Sequence, residues 1–223
     1  NIDALCNRYS RPRDAVRIIG VSKTKPAAAI AAAAAAGIAD IGENYLQEAH
    51  QKIETLASER INWHFIGRIQ SNKTREIAGL FDWVHTVASA KVARRLNDQR
   101  PDGQAPLRIC LQVNVSDDPA KAGVQPGGLG HLIEAVLPLA NLQLRGLMTM
   151  PTAATTLAAQ RAPFRELAEL LARHRDSFGL PRFTELSMGM SSDLEAAVAE
   201  GATLVRIGTA IFGPREVQDA ETT

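Results

Sequence analysis

Eight short apolar, β-rich stretches recur along the chain, and each is followed by a helical pattern or by the chain end. They fall at residues 16–21, 39–42, 63–66, 83–86, 107–113, 142–148, 183–187 and 203–207. The clearest helical stretches between them are 27–36, 45–56, 91–98, 129–137, 164–178 and 193–200, and residues 2–8 read as a helix ahead of the first strand. Strands separated by helices pair in parallel, because a crossover returns the chain to the same edge of the sheet. An open doubly wound sheet calls for a glycine fingerprint after an early strand, and none is present. A TIM-type (β/α)8 barrel matches the strand count, and 223 residues lies in its lower size range of about 200 to 250. The expected architecture is α/β: one (β/α)8 barrel domain over residues 1–223 with an extra N-terminal helix.

Composition narrows the function classes. Net charge is +1, which leaves no electrostatic footprint for nucleic acid. No apolar run is long enough to cross a bilayer. The opening Asn1-Ile2-Asp3 lacks the charged-then-apolar layout of a secretion signal, and also lacks a methionine, so a trimmed start is expected. Two cysteines, Cys6 and Cys110, do not make a disulfide framework, and Cys110 reads as a small buried strand residue. No Cys/His cluster has metal-ligand spacing. A cytoplasmic, reducing compartment is expected.

The first strand runs out into Val21-Ser22-Lys23-Thr24-Lys25-Pro26. Alternation puts Ile19, Val21 and Lys23 on one face and Ile18, Gly20 and Ser22 on the other. An inward lysine at a strand end is partly desolvated, which favours the neutral amine. A neutral amine at a pocket mouth forms a Schiff base with an aldehyde. The alternative is a lysine that snorkels to solvent beside a carboxylate.

Two further regions converge on the same rim. Strand seven ends near Ser187 and passes through Met188-Gly189-Met190-Ser191-Ser192 into a helix at Asp193. A Ser/Gly turn before a helix presents free N–H groups, which bind phosphate, although an ordinary capped loop has the same composition. In Leu204-Val205-Arg206-Ile207-Gly208-Thr209, alternation puts Leu204, Arg206 and Gly208 on one face, which is the inward one if Val205 and Ile207 face the outer helices. Barrel phosphate sites are frequently built from the loops after strands seven and eight. An amine on strand one, phosphate donors after strands seven and eight, and an inward arginine together fit pyridoxal 5′-phosphate (PLP). The longer loops 117–128 and 151–156 fall on the same C-terminal rim.

Several motifs occur in order: Val21-Ser22-Lys23-Thr24-Lys25-Pro26, Gly42-Glu43-Asn44-Tyr45, Trp63-His64-Phe65-Ile66-Gly67, Gln70-Ser71-Asn72-Lys73, Arg145-Gly146-Leu147-Met148, Leu186-Ser187-Met188-Gly189-Met190-Ser191, and Arg206-Ile207-Gly208-Thr209. Through them the chain resembles the YggS/PROSC family of pyridoxal phosphate homeostasis proteins over nearly its whole length. It departs at Arg68-Ile69, where the family usually has Pro-Leu, and at Ser192, where an acidic residue is common. The resemblance implies a barrel like the N-terminal domain of alanine racemase, with Lys23 carrying PLP as a Schiff base. It also implies that Ser187, Gly208 and Thr209 hold the phosphate and that Arg206 faces the pyridine nitrogen. Asn44 beside the ring and Met148 packed near it rest mainly on the family.

A fixed positive charge beside the pyridine nitrogen disfavours its protonation and weakens the ring as an electron sink. The expected role is therefore a carrier or regulator of PLP that releases it to PLP-dependent apoenzymes, without firm catalysis. The alternative is a minimal PLP-dependent amino acid racemase. Racemase-like relatives keep such an arginine but add a β-rich domain supplying a catalytic tyrosine across a dimer. No room for it is expected after Gly213, so a monomer is expected. A Schiff-base aldolase shares the lysine and the phosphate loops but explains Arg206 less well. Lys25 and Lys121 lie on rim segments as candidates for transient acceptance of the aldehyde. His64 and His85 read as hydrogen-bonded core groups, Trp63 and Trp83 as packing residues, and Tyr45 as packing at a helix start.

Overall fold

In a computed structural model, which describes residues 2–214, the strands are β1 Arg17–Val21, β2 Asp40–Glu43, β3 Asn62–Phe65, β4 Trp83–Val87, β5 Leu107–Gln112, β6 Leu142–Met148, β7 Glu185–Ser187 and β8 Leu204–Ile207. Every neighbouring pair is parallel, and β8 returns to β1, pairing Arg17 with Leu204 and Gly20 with Ile207. The barrel is closed, so no strand edge is left open. The expected barrel and all eight strands are present.

The helices are α1 Ile2–Arg8, α2 Ala27–Ala35, α3 Leu46–Thr55, α4 Thr74–Leu80, α5 Ala90–Asp98, α6 Leu129–Val136, α7 Leu157–Ser177, α8 Leu194–Ala199 and α9 Thr209–Phe212. The alanine run of α2 supplies high intrinsic propensity, and its buried face is Ile30 and Ala33. It ends in a Schellman motif, with Gly37 N–H on the Ala34 carbonyl and Ile38 N–H on the Ala33 carbonyl. Helix α7 starts seven residues before the sequence pattern suggests. The Thr156 side chain caps it by accepting from Ala159 N–H at 3.3 Å, and the helix tolerates Pro163 within its second turn. The N-terminal helix lies against α8: Arg8 and the Tyr9 hydroxyl both meet Glu195, at 2.6 and 2.9 Å.

The core has two parts. The larger lies between strands and helices and includes Ile41, Val84, Leu111, Leu147, Phe164, Val205 and Ile207. The smaller fills the barrel with Ile19, Trp83, Cys110, Met148 and Leu204. Arg17, Arg108 and Arg145 surround the Trp83 ring at 5.5, 5.5 and 6.0 Å, and Glu185 lies 3.6 and 3.5 Å from Arg17 and Arg145. This plug closes the lower end of the barrel and leaves the rim after the strand C-termini for chemistry.

Candidate functional site

A cavity of about 380 Å3 opens on that rim. Lys23, Asn44, Arg206, Gly208 and Thr209 line it, together with Met150, Ser191, Ser192 and Phe212. Five of the seven residues anticipated from sequence therefore meet in one place.

The other two do not reach it. Ser187 and Met148 have no exposed surface and are absent from the lining. Met148 lies in the barrel's inner cluster, two residues before Met150 on the same strand path. That separation is one pleat repeat, about 6.6 Å, so Met150 occupies the level expected of Met148. The Ser187 hydroxyl is engaged within the barrel, 2.7 Å from His85 Nδ1 and 2.9 Å from an Arg206 Nη. Ser187 therefore lies beneath the wall, and Ser191 and Ser192 are the serines on it. The Ser/Gly turn after β7 was the signal for them, since only its outer residues clear the strand end.

Lys23 sits two residues beyond β1 and is half-buried, so it lines the mouth rather than the deep interior. Its backbone is held from behind. The Lys52 ammonium donates to the Ser22 carbonyl at 2.8 Å and to Glu43 Oε1 at 2.7 Å. The Ser22 hydroxyl donates to the same Glu43 oxygen at 2.5 Å, and Thr24 N–H donates to Glu48 Oε2 at 2.9 Å. Thr24 has φ of 64°, an unusual left-handed conformation for a β-branched residue. Such strain costs about 1–3 kcal/mol and is found at functional sites. Burial pushes the Glu43 carboxyl above its ordinary range, against the opposing effects of Lys52 and Ser22.

The turn after β7 needs glycine at its crest. Gly189 has φ of 93°, and a Cβ there would lie 2.4 Å from the Ala197 Cβ. Beyond it the Asp193 carboxylate accepts from Met190 N–H at 2.6 Å and closes the turn. Among the described residues, the backbone N–H groups of Ser191, Ser192, Gly208 and Thr209 have no hydrogen-bond partner. Asn44, just beyond β2, also lines the cavity, and its Oδ1 is buried without a partner. Gly67 fixes this residue's surroundings, because a Cβ there would fall 2.0 Å from the Asn44 carbonyl oxygen. Arg206 is 4% exposed and donates to Ser187 Oγ and to the Thr149 carbonyl, each at 2.9 Å. Burial lowers its pKa to about 10, which leaves it cationic at neutral pH.

The wall thus offers an amine, a buried cation, an unpaired amide oxygen and unpaired N–H donors. It contains no histidine, tyrosine, cysteine or carboxylate among the described residues. Lys25 also lines it, with its ammonium on the Pro214 carbonyl at 2.6 Å, whereas Lys121 lies on loop 117–128 and does not. Tyr45 is exposed and borders a neighbouring cavity with Arg68 and Ile69.

Residues 1–216 match the family model described as alanine racemase, N-terminal domain. The chain is 57% identical over 201 residues to the pyridoxal phosphate homeostasis protein of Pseudomonas aeruginosa, covering 90% of this chain and 85% of that one. The chain belongs to the pyridoxal phosphate homeostasis protein family. Among solved structures it is similar to PipY of Synechococcus elongatus with PLP bound, at 39% identity and a TM-score of 0.84, over 96% of this chain and 100% of that one. Alanine racemase from Corynebacterium glutamicum shares the fold alone, at 17% identity and a TM-score of 0.68, over 99% of this chain and 63% of that one. Among the described residues of this family member, no helix is long and apolar enough to cross a membrane.

Proposed function

We propose that this chain binds PLP reversibly at Lys23 and serves PLP homeostasis as a carrier that yields the cofactor to apoenzymes, without turning over a substrate. One observation carries the reading: the Lys23 amine, four unpaired N–H groups and the buried Arg206 border a single cavity. The donor set fits the group. Ser191, Ser192, Gly208 and Thr209 would hold the phosphate through backbone N–H groups, with no cation spent on it. Arg206 would face the ring nitrogen, and Asn44 Oδ1 would accept from the ring hydroxyl.

When bound, PLP supplies an aldehyde that condenses with an amine and a ring that can act as an electron sink. Arg206, a donor-only group, opposes proton uptake at the ring nitrogen and so weakens that sink. Lys23 can hold or release a proton at Nζ, but stereochemical inversion also needs an acid or base on the opposite face. The cavity wall supplies none apart from Lys25, whose ammonium is tied to Pro214. This favours carriage over racemisation. Membership of a family named for homeostasis is consistent with that choice.

The test compares PLP with pyridoxal, which lacks the phosphate. Two of these four charge-assisted bonds to phosphate alone are worth about 3 kcal/mol, or about a hundredfold in affinity. Spectrophotometric titration is expected to show PLP binding at least about a hundredfold more tightly than pyridoxal. Equal affinities would remove the phosphate role of the last two loops. Racemisation of an L-amino acid by the PLP-loaded protein, lost on Lys23→Ala, would overturn the carrier reading.

A further inference from the structure

A buried file of hydrogen bonds crosses the barrel from its lower end to the cavity floor. Asp40 Oδ1 lies 2.8 Å from His64 Nε2, His64 Nδ1 lies 2.9 Å from His85 Nε2, and His85 Nδ1 lies 2.7 Å from Ser187 Oγ. Arg206 completes it by donating to Ser187 Oγ at 2.9 Å. The members come from β2, β3, β4, β7 and β8, and His64, His85 and Ser187 have no exposed surface. No step of the carrier function described above uses His64, His85 or Asp40.

The ends of the file fix its direction. A carboxylate only accepts and a guanidinium only donates. With Asp40 ionised, His64 presents Nε2–H to it. A neutral His64 then offers a lone pair at Nδ1, so His85 donates from Nε2–H. His85 Nδ1 in turn accepts from the Ser187 hydroxyl, whose oxygen accepts from Arg206. Every member is satisfied, and every proton points toward Asp40.

The competing arrangement makes His64 an imidazolium and reverses His85. Ser187 Oγ would then accept from both His85 and Arg206, and its own hydrogen would have no acceptor among the described residues. The charged surroundings also oppose it. Arg17 on β1 and Arg206 on β8 bear on the imidazoles, while Asp40 and Asp82 favour charge only at His64. Burial holds both histidines below their ordinary range. Burial alone would raise the Asp40 carboxyl, but the bond from His64 and the charge of Arg17 bring it below its usual value.

We propose that His64 and His85 are positioning residues for the cofactor site. As neutral Nε2–H tautomers they orient the Ser187 hydroxyl so that its oxygen anchors Arg206 under the cavity. The ordering belongs to the cofactor-free chain, while its consequence for PLP rests on the function proposed above.

Long-range 1H–15N spectra of the labelled, cofactor-free protein read each histidine tautomer directly, with assignments from single His→Gln variants. Both His64 and His85 are expected as Nε2–H forms at pH 7. An Nδ1 proton on His85, or an imidazolium at either position, overturns the proposal. PLP titration of Ser187→Ala provides the second readout. Loss of one anchoring bond to a charged group is expected to weaken PLP about tenfold. Borohydride is still expected to place the pyridoxyl group on Lys23, and the melting temperature serves as the folding control. Wild-type affinity in folded Ser187→Ala overturns the proposal. If the wild-type protein takes up no PLP, the carrier function fails while the tautomers still decide this inference.

Discussion

Lys23→Ala is expected to abolish the absorbance band of bound PLP while leaving the fold intact. Among the described residues Lys23 makes no hydrogen bond or ion pair, and it is half-buried at the cavity mouth. Truncating such a side chain changes stability by no more than about 0.5 kcal/mol. The loss should therefore be chemical: no amine remains in place to condense with the aldehyde. Lys25 is the informative control because it lines the same cavity but is tied to the Pro214 carbonyl. Lys25→Ala should retain the band. Absorbance spectra with thermal melts check both variants, and a full-strength band in Lys23→Ala would contradict the assignment.

The largest stability effect is expected at Lys52, on the far side of β1 from the cavity. Its ammonium meets Glu43 at 2.7 Å and the Ser22 carbonyl at 2.8 Å, and Glu43 has no exposed surface. Removing one partner of a buried pair costs about 3–5 kcal/mol because the other charge is left uncompensated. For a chain of this size Lys52→Ala should then lower the melting temperature by roughly 10 °C. The sign of the pH dependence follows from Glu43, whose pKa burial already raises. A carboxyl with a raised folded-state pKa binds more protons folded than unfolded, so stability falls as pH rises. The deficit of Lys52→Ala should be largest above neutrality and should shrink as pH falls toward 5. Replacing both partners, Glu43→Leu with Lys52→Met, should recover most of the loss. Denaturant titrations at pH 5 and pH 8 measure this. A deficit independent of pH would mean that Glu43 is not the uncompensated charge.

The barrel is legible in the sequence because its signals are local. Each strand shows as an apolar run closed by a turn, and residues such as Arg206 and Lys23 are placed by alternation alone. Helix α4 was not legible: it is seven residues long, follows a 3-10 turn and carries Gly79 near its end. Met148 lies one pleat below Met150 on the wall, and Ser187 lies a whole turn below Ser191 and Ser192, because a motif gives the inward face but not the level at which the strand meets the cavity. His64 and His85 read correctly as hydrogen-bonded core groups, yet their partners did not. The file from Asp40 to Arg206 draws on five strands, and only closure of the barrel brings them together.

Borohydride reduction of the PLP-loaded protein, followed by peptide mapping, tests the central claim most directly. A pyridoxyl mass on the peptide containing Lys23, at near one equivalent per chain, is the predicted result. An unmodified Lys23 with the label on Lys25, Lys52 or Lys121 would contradict it.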